Sequence, residues 1–220
     1  MKLPASNLMA ISNPAFLHNG PADGPVLLLA HGAGAPMDSA FMNEMAGLLA
    51  DLGVQVVRFE FAYMAARRTD GKRRPPTPMP GLIDEFQQVI SGIEACSLFI
   101  GGKSMGGRVA SMIAADPRFN GVISGLVCLG YPFHPPGKPE KLRTQHLASI
   151  NCPGLTVQGE RDPFGNAADL SGYELPPQMD VFWCPLGNHD LVPPKKSGLT
   201  ARENWALAAQ AVSGFIGNNR

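Results

Sequence analysis

The run Ser97-Leu98-Phe99-Ile100-Gly101-Gly102-Lys103-Ser104-Met105-Gly106-Gly107-Arg108-Val109-Ala110 constrains this chain more than any other stretch. A short apolar segment ends in two glycines, turns through Lys103-Ser104-Met105-Gly106 and enters a helix-like segment that reaches Ala115. That reads as a strand, a very tight turn and a helix, with a serine at the apex. A strand that reverses into a helix so quickly brings two backbones nearly into contact, so a Cβ at Gly102 or Gly106 would clash. The serine between them is pushed into a strained conformation that projects its Oγ outward. The spacing Gly102-x-Ser104-x-Gly106 is a weak signal alone in 220 residues holding 25 glycines. The strand before it and the helix after it give it weight.

The rest of the chain supplies a matching frame. Pro25–Ala30 is a continuous apolar run, as expected of a strand covered on both faces, and it ends in His31-Gly32-Ala33-Gly34. Residues 38–51 carry helical spacing, with Asp38 or Ser39 as N-cap, and residues 54–59 read as the next strand. Further strands are expected at Val122–Leu129, Gly154–Gln158 and Asp180–Cys184, with Ala15-Phe16-Leu17 as a short edge strand. Helices are expected near Leu82–Ala95 and Thr200–Ile216, with a short helical piece near Leu142–Ala148. The alternation predicts one domain over residues 1–220: a three-layer α/β fold with a mostly parallel twisted sheet of about six or seven strands. Chemistry in such sheets collects beyond the carboxyl ends of the strands. The turns after Ala30, Gly101, Gln158 and Cys184 all lie there.

Charge narrows the function classes. Eighteen basic residues balance eighteen acidic ones, so nothing points to nucleic acid or to an anionic membrane surface. The four cysteines, Cys96, Cys128, Cys152 and Cys184, show no CxxC spacing and read as reduced. Pro4, Asn7 and Ser12 interrupt any apolar leader, and no apolar run approaches membrane-spanning length. A cytoplasmic protein is the expectation; oligomeric state is open.

Ser104 is the candidate nucleophile. A serine hydroxyl needs a base within hydrogen-bond reach, itself oriented by a carboxylate. His189 is the only histidine after residue 146, in a Gly-Asn-His-Asp loop that follows the last strand, and it is the candidate base. Asp162 lies in the turn after the preceding strand and is the candidate acid; Glu160, nearer the strand end, stays as an alternative. Backbone N–H groups of Met105 and Ala33 are the candidate oxyanion donors. His31 reads as shaping its turn rather than as a second base. His31 and Gly32, with Arg73 and Arg74, are the candidate substrate contacts.

The His31-Gly32 loop, the Gly102-Lys103-Ser104-Met105-Gly106 turn, Gly159-Glu160-Arg161-Asp162 and Gly187-Asn188-His189 together resemble the α/β-hydrolase superfamily in its small lidless form. The order serine, acid, histidine is that superfamily's order. More narrowly, His31-Gly32-Ala33-Gly34, the Arg67–Pro76 loop, Gly-Lys-Ser-Met-Gly-Gly and Tyr131-Pro132-Phe133-His134-Pro135-Pro136 are similar to a dienelactone-hydrolase-like group. That group includes the testis-expressed and NSL-complex hydrolase-like proteins. The resemblance implies a serine hydrolase of carboxylic esters or thioesters, acting on a small-molecule substrate without metal, cofactor or large lid. Some relatives in that group look like interaction proteins, so a catalytically weak or inactive interaction module on the same fold is the alternative.

Residues 61–80 hold Arg67, Arg68, Lys72, Arg73 and Arg74 against one Asp70, followed by four prolines. They read as a loop that either clamps an anionic substrate group or pairs with the protein's own carboxylates. A phosphate-binding loop ending in Gly102-Lys103-Ser104 is excluded: its first glycine would fall at Ser97, and Leu98-Phe99-Ile100 are too apolar to cradle phosphate.

Overall fold

Leu27, Leu28 and Leu29 are consecutive and all completely buried, which only a strand covered on both faces allows. The computed structural model describes residues 16–220. Around that strand it builds a seven-stranded sheet from β1 (Leu17–Asn19), β2 (Val26–Ala30), β3 (Gln55–Phe59), β4 (Leu98–Lys103), β5 (Gly125–Leu129), β6 (Gly154–Gly159) and β7 (Met179–Cys184). The spatial order is β1-β3-β2-β4-β5-β6-β7. β1 runs antiparallel to β3, and every other neighbouring pair is parallel.

Side chains alternate between two cores. Leu28, Ala30, Ile100, Leu126 and Cys128 join one cluster with α3 (Met79–Ser91) and α4 (Met105–Ala114). Leu27, Leu29, Phe99, Val127 and Leu129 join the other with α1 (Ala40–Asp51) and α6 (Ala201–Asn218). This is the strand period of two, read out as layers. Each fully buried leucine contributes about 1.5–3 kcal/mol relative to exposure.

From β2 the chain winds outward through α1 to β3, then returns over the opposite face through α2 (Ala62–Asp70) and α3 to β4, on the other side of β2. The winding reverses between β2 and β4, and their carboxyl ends open a crevice there. The β2 exit carries His31–Gly34; the β4 exit carries Ser104. Among the described residues no helix is long and apolar enough to cross a membrane. Between β5 and β6 the chain forms turns and one 3-10 helix, Gln145–Ser149, so no large lid covers the crevice.

The segment 61–80 differs from its sequence reading. Its first part is a helix, α2, where a loop was expected. Four prolines dominated that reading, but they all follow the helix; Gly71 closes it at φ 70°, and Arg67 and Arg68 in its last turn favour the negative helix end. Met79 opens α3 with Pro80 in its first turn, where a proline costs no hydrogen bond, and Gly92 caps it, so it starts and ends earlier than expected. The edge strand lies at Leu17–Asn19 rather than 15–17, and Ala15 falls outside the described residues. A four-residue helix, α5 (Ala167–Leu170), was not expected; Asn166 and Asp169 close it with a capping box. Cys128 and Cys184 are buried, Cys152 is half-buried and Cys96 exposed; all four are free thiols.

Candidate active site

The turn at Ser104 is built by exclusion. A Cβ on Gly102 would lie 2.4 Å from the Gly106 carbonyl carbon, and one on Gly106 would lie 2.6 Å from the carbonyl oxygens of Ala30 and His31. Both contacts are with backbone, which has nowhere to go. Ser104 takes φ 52° and ψ −112°, a region that costs a non-glycine residue about 1–3 kcal/mol. It is held there by its N–H to the Leu129 carbonyl at 3.0 Å and by its own carbonyl, which accepts from the Arg108 N–H at 3.0 Å.

That conformation presents Oγ to His189. Ser104 Oγ lies 2.8 Å from His189 Nε2, and His189 Nδ1 lies 2.8 Å from Asp162 Oδ2. Asp162 is completely buried and is surrounded by donors: the Phe164 N–H reaches Oδ1 at 2.8 Å, and Gln158 Nε2 reaches Oδ2 at 2.9 Å. A carboxylate in such a site accepts, so Nδ1 carries the imidazole proton and Nε2 is left to accept from the serine hydroxyl. The Phe164 ring packs on the imidazole with centroids 4.2 Å apart. Glu160 is exposed and spends Oε2 on the Leu186 N–H at 2.8 Å. Of the two candidate acids, the structure brings Asp162 and not Glu160 to the histidine.

Three side chains to which the sequence assigned no role hold this arrangement. Gln158, buried on β6, accepts from the Tyr131 N–H through Oε1 (2.8 Å) while donating to Asp162, which ties the β5 exit to the acid. Lys103, buried directly before the serine, donates from Nζ to the His189 carbonyl at 2.8 Å and pairs with Asp190 at 3.2 Å. Burial lowers its pKa, and the Asp190 carboxylate works against that shift. Asn204, buried on α6, donates from Nδ2 to the carbonyls of Pro185 and Leu191, both at 2.9 Å, and so grips the histidine loop on both sides. Only Gln158 to Asp162 is local, four residues apart, and neither periodicity nor a motif reveals any of these pairings.

On the other side of Ser104, the β2 exit is arranged by its carbonyls. His31 Nδ1–H donates to the Gly32 carbonyl at 2.7 Å, and Nε2 accepts from the Phe61 N–H at 3.2 Å. Tyr63 OH donates to the Ala33 carbonyl at 3.0 Å. A trans peptide points its N–H opposite its carbonyl. Holding the Gly32 carbonyl toward His31 therefore turns the Ala33 N–H away from that ring, and no acceptor takes it among the described residues. Met105 is the first residue of α4, so its N–H is one of the unpaired donors at the positive end of that helix. Gly32 abuts the serine: a Cβ there would lie 3.8 Å from the Ser104 Cβ.

Two expected substrate contacts change. His31 is fully buried with both ring nitrogens engaged, and burial lowers its pKa, so its side chain has no surface to offer a ligand. Arg74 is already matched by a bidentate pair with Asp70, including Nη1 to Oδ1 at 2.9 Å. Arg68 is matched as well, by Glu60 and Asp38 at 2.6–3.0 Å. Arg67 and Arg73 have no carboxylate partner among the described residues. No group of three or more histidine, cysteine or acidic side chains among the described residues could hold a metal ion.

Comparison with known proteins accords with this fold. A family model described as an alpha/beta hydrolase domain matches residues 23–217. Among solved structures, a dienelactone hydrolase from Anabaena variabilis superposes with a TM-score of 0.69 at 17% identity, over 93% of this chain and 92% of that one. Est1E from Butyrivibrio proteoclasticus, solved with ferulic acid bound, gives 0.67 at 14% identity over 94% and 95%. A monoacylglycerol lipase from Paleococcus ferrophilus gives 0.65 at 13% identity over 94% and 100%. At such identities the superpositions speak for the fold alone. The family model spans nearly the whole described chain, and the chain belongs to the alpha/beta hydrolase family.

Proposed function

We propose that this chain is a serine hydrolase that cleaves a carboxylic ester or thioester of a small acyl group. The observation that carries the reading is the unbroken relay Ser104 Oγ–His189–Asp162, with both links at 2.8 Å. In the proposed reaction Ser104 Oγ attacks the scissile carbonyl carbon while His189 Nε2 takes its proton. The oxygen that becomes negative is met by the N–H groups of Ala33 and Met105. The tetrahedral species collapses, His189 returns the proton to the departing alcohol or thiol, and an acyl-serine remains. Water then repeats the sequence, with His189 as base, and releases the acid. Asp162 keeps the imidazole in the required tautomer and stabilises its cation.

Within the family, the His31–Gly34 loop, the arginine-rich segment and Tyr131–Pro136 support a place near the dienelactone-hydrolase-like group with the testis-expressed and NSL-complex hydrolase-like proteins. The test is a fluorophosphonate probe. It is expected to label the wild-type protein and not Ser104→Ala, and the variant is expected to lose hydrolysis of short acyl esters by a factor of about a million. A folded wild-type protein that resists the probe would sink the reading and leave the fold as an interaction module.

A further inference from the structure

Two guanidinium groups without a carboxylate partner line one pocket at the loop that follows β2. The pocket, about 230 Å³, is lined by Ala33 and Gly34 of the β2 exit and by Tyr63, Met64, Arg67, Arg73 and Arg74. We infer that it binds an anionic group, a carboxylate or a phosphate, carried by the substrate a few atoms from the scissile bond, with Arg67 and Arg73 as the cations that hold it. This rests on the serine-hydrolase reading for what happens to the ligand, but not for its binding.

The charge pattern carries the inference. Of the four arginines between 67 and 74, Arg68 and Arg74 are spent on Asp38, Glu60 and Asp70. The pocket lining contains no acidic residue, so Arg67 and Arg73 face it unopposed. Arg67 projects from the last turn of α2, while Arg73 lies beyond the Gly71 cap, so the two cations approach from different parts of the backbone. Three prolines, at 75, 76 and 78, follow Arg73 and Arg74 and restrict the backbone there, which reduces the entropy lost on closing around a ligand. The pocket also communicates with the proposed oxyanion loop. Ala33, whose N–H is the proposed donor, lines it directly, and Tyr63 donates from the same wall to the Ala33 carbonyl. A ligand anchored on Arg67 and Arg73 therefore shares its pocket with the loop that carries the proposed Ala33 donor.

The test compares kcat/KM for three esters that share one skeleton: phenyl butyrate, monophenyl succinate with the anion on the acyl side, and 4-carboxyphenyl butyrate with the anion on the alcohol side. One of the anionic esters is expected to be preferred over the neutral one by about tenfold at low salt, with the preference shrinking at 0.5 M NaCl. Arg67→Ala and Arg73→Ala are each expected to remove most of that ratio, and their Lys variants to restore part of it. Arg118→Ala, remote and paired with Asp116, is the control whose ratio stays at the wild-type value. A second arm does not depend on turnover: in Ser104→Ala, calorimetry with the same three esters and with inorganic phosphate reads binding alone. Tighter binding of an anion that weakens in Arg67→Ala or Arg73→Ala supports the pocket even if the triad reading fails. Equal ratios for all three esters, together with no anion binding to Ser104→Ala, would overturn it.

Discussion

The two flanks of Ser104 are built from different materials. On the β6–β7 side, the acid and the base are held by buried side chains, Gln158, Lys103 and Asn204, each bridging elements distant in sequence. On the β2 side, the proposed donors are main-chain N–H groups, and His31 and Tyr63 act on the loop by holding its carbonyls the other way. Beyond them the arginine segment is held by ion pairs: Arg74–Asp70 is exposed and contributes little, while Arg68 reaches the buried Glu60. The first flank is therefore sensitive to the loss of one atom, and the second to changes of backbone shape.

The largest expected effect breaks the first flank alone. Asp162→Asn keeps a side chain of the same size but presents an NH2 where the imidazole N–H must donate, which favours the wrong tautomer. A loss of about 10⁴ in kcat is expected, with the melting temperature little changed, while Glu160→Gln retains most of the rate. The reverse pattern would give the acid role to Glu160.

A pair of identical substitutions sharpens the contrast in backbone tolerance. Gly102→Ala forces a Cβ to 2.4 Å from backbone and is expected to cost about 3 kcal/mol or more, read from urea unfolding. Gly71→Ala, at φ 70° but with open space around it, carries only the left-handed penalty of about 1–2 kcal/mol. Equal costs would mean that contact with the neighbouring turn is not what dictates glycine at the serine.

The smallest effect probes the join between the flanks. His31 stands with its own carbonyl against Gly106 and its Nε2 on the Phe61 N–H, so it touches both the turn and the approach to α2. Burial lowers its pKa in the folded chain, so the unfolded chain binds the extra proton first. Stability is therefore expected to fall as pH drops below the ordinary histidine value of about 6.5, and to stop falling from this source below the folded value. His31→Gln should flatten that part of the profile; an unchanged slope would remove His31 as its source.

Legibility in the sequence follows the same division. The strand–turn–helix at Ser104 was readable because its glycines, serine and apolar run are adjacent, and His189 and Asp162 followed because each sits in the turn after a strand. The oxyanion candidates came from position alone. Gln158, Lys103 and Asn204 had no local signature, since each acts through a partner at least four residues away and, for Lys103, 86 away. The helix α2 was hidden by composition: arginines and prolines suggested a loop, although the nine residues before Gly71 hold an uninterrupted helix. Which arginines remain unmatched depends on Asp38 and Glu60, and no linear reading pairs these with Arg68.

Asn204 has a consequence for the timing of reactivity during synthesis. The serine turn is complete once β4, α4 and β5 have formed, but its proposed base lies 85 residues after the serine, on the loop after an edge strand. That loop is gripped from α6, fifteen residues further on. At roughly 5–20 residues per second, a ribosome needs several seconds to span the interval. On the proposed reading the serine lacks its base over that interval. The hydroxyl would be armed only when the final helix docks, so a nascent chain halted before α6 would carry an unarmed serine.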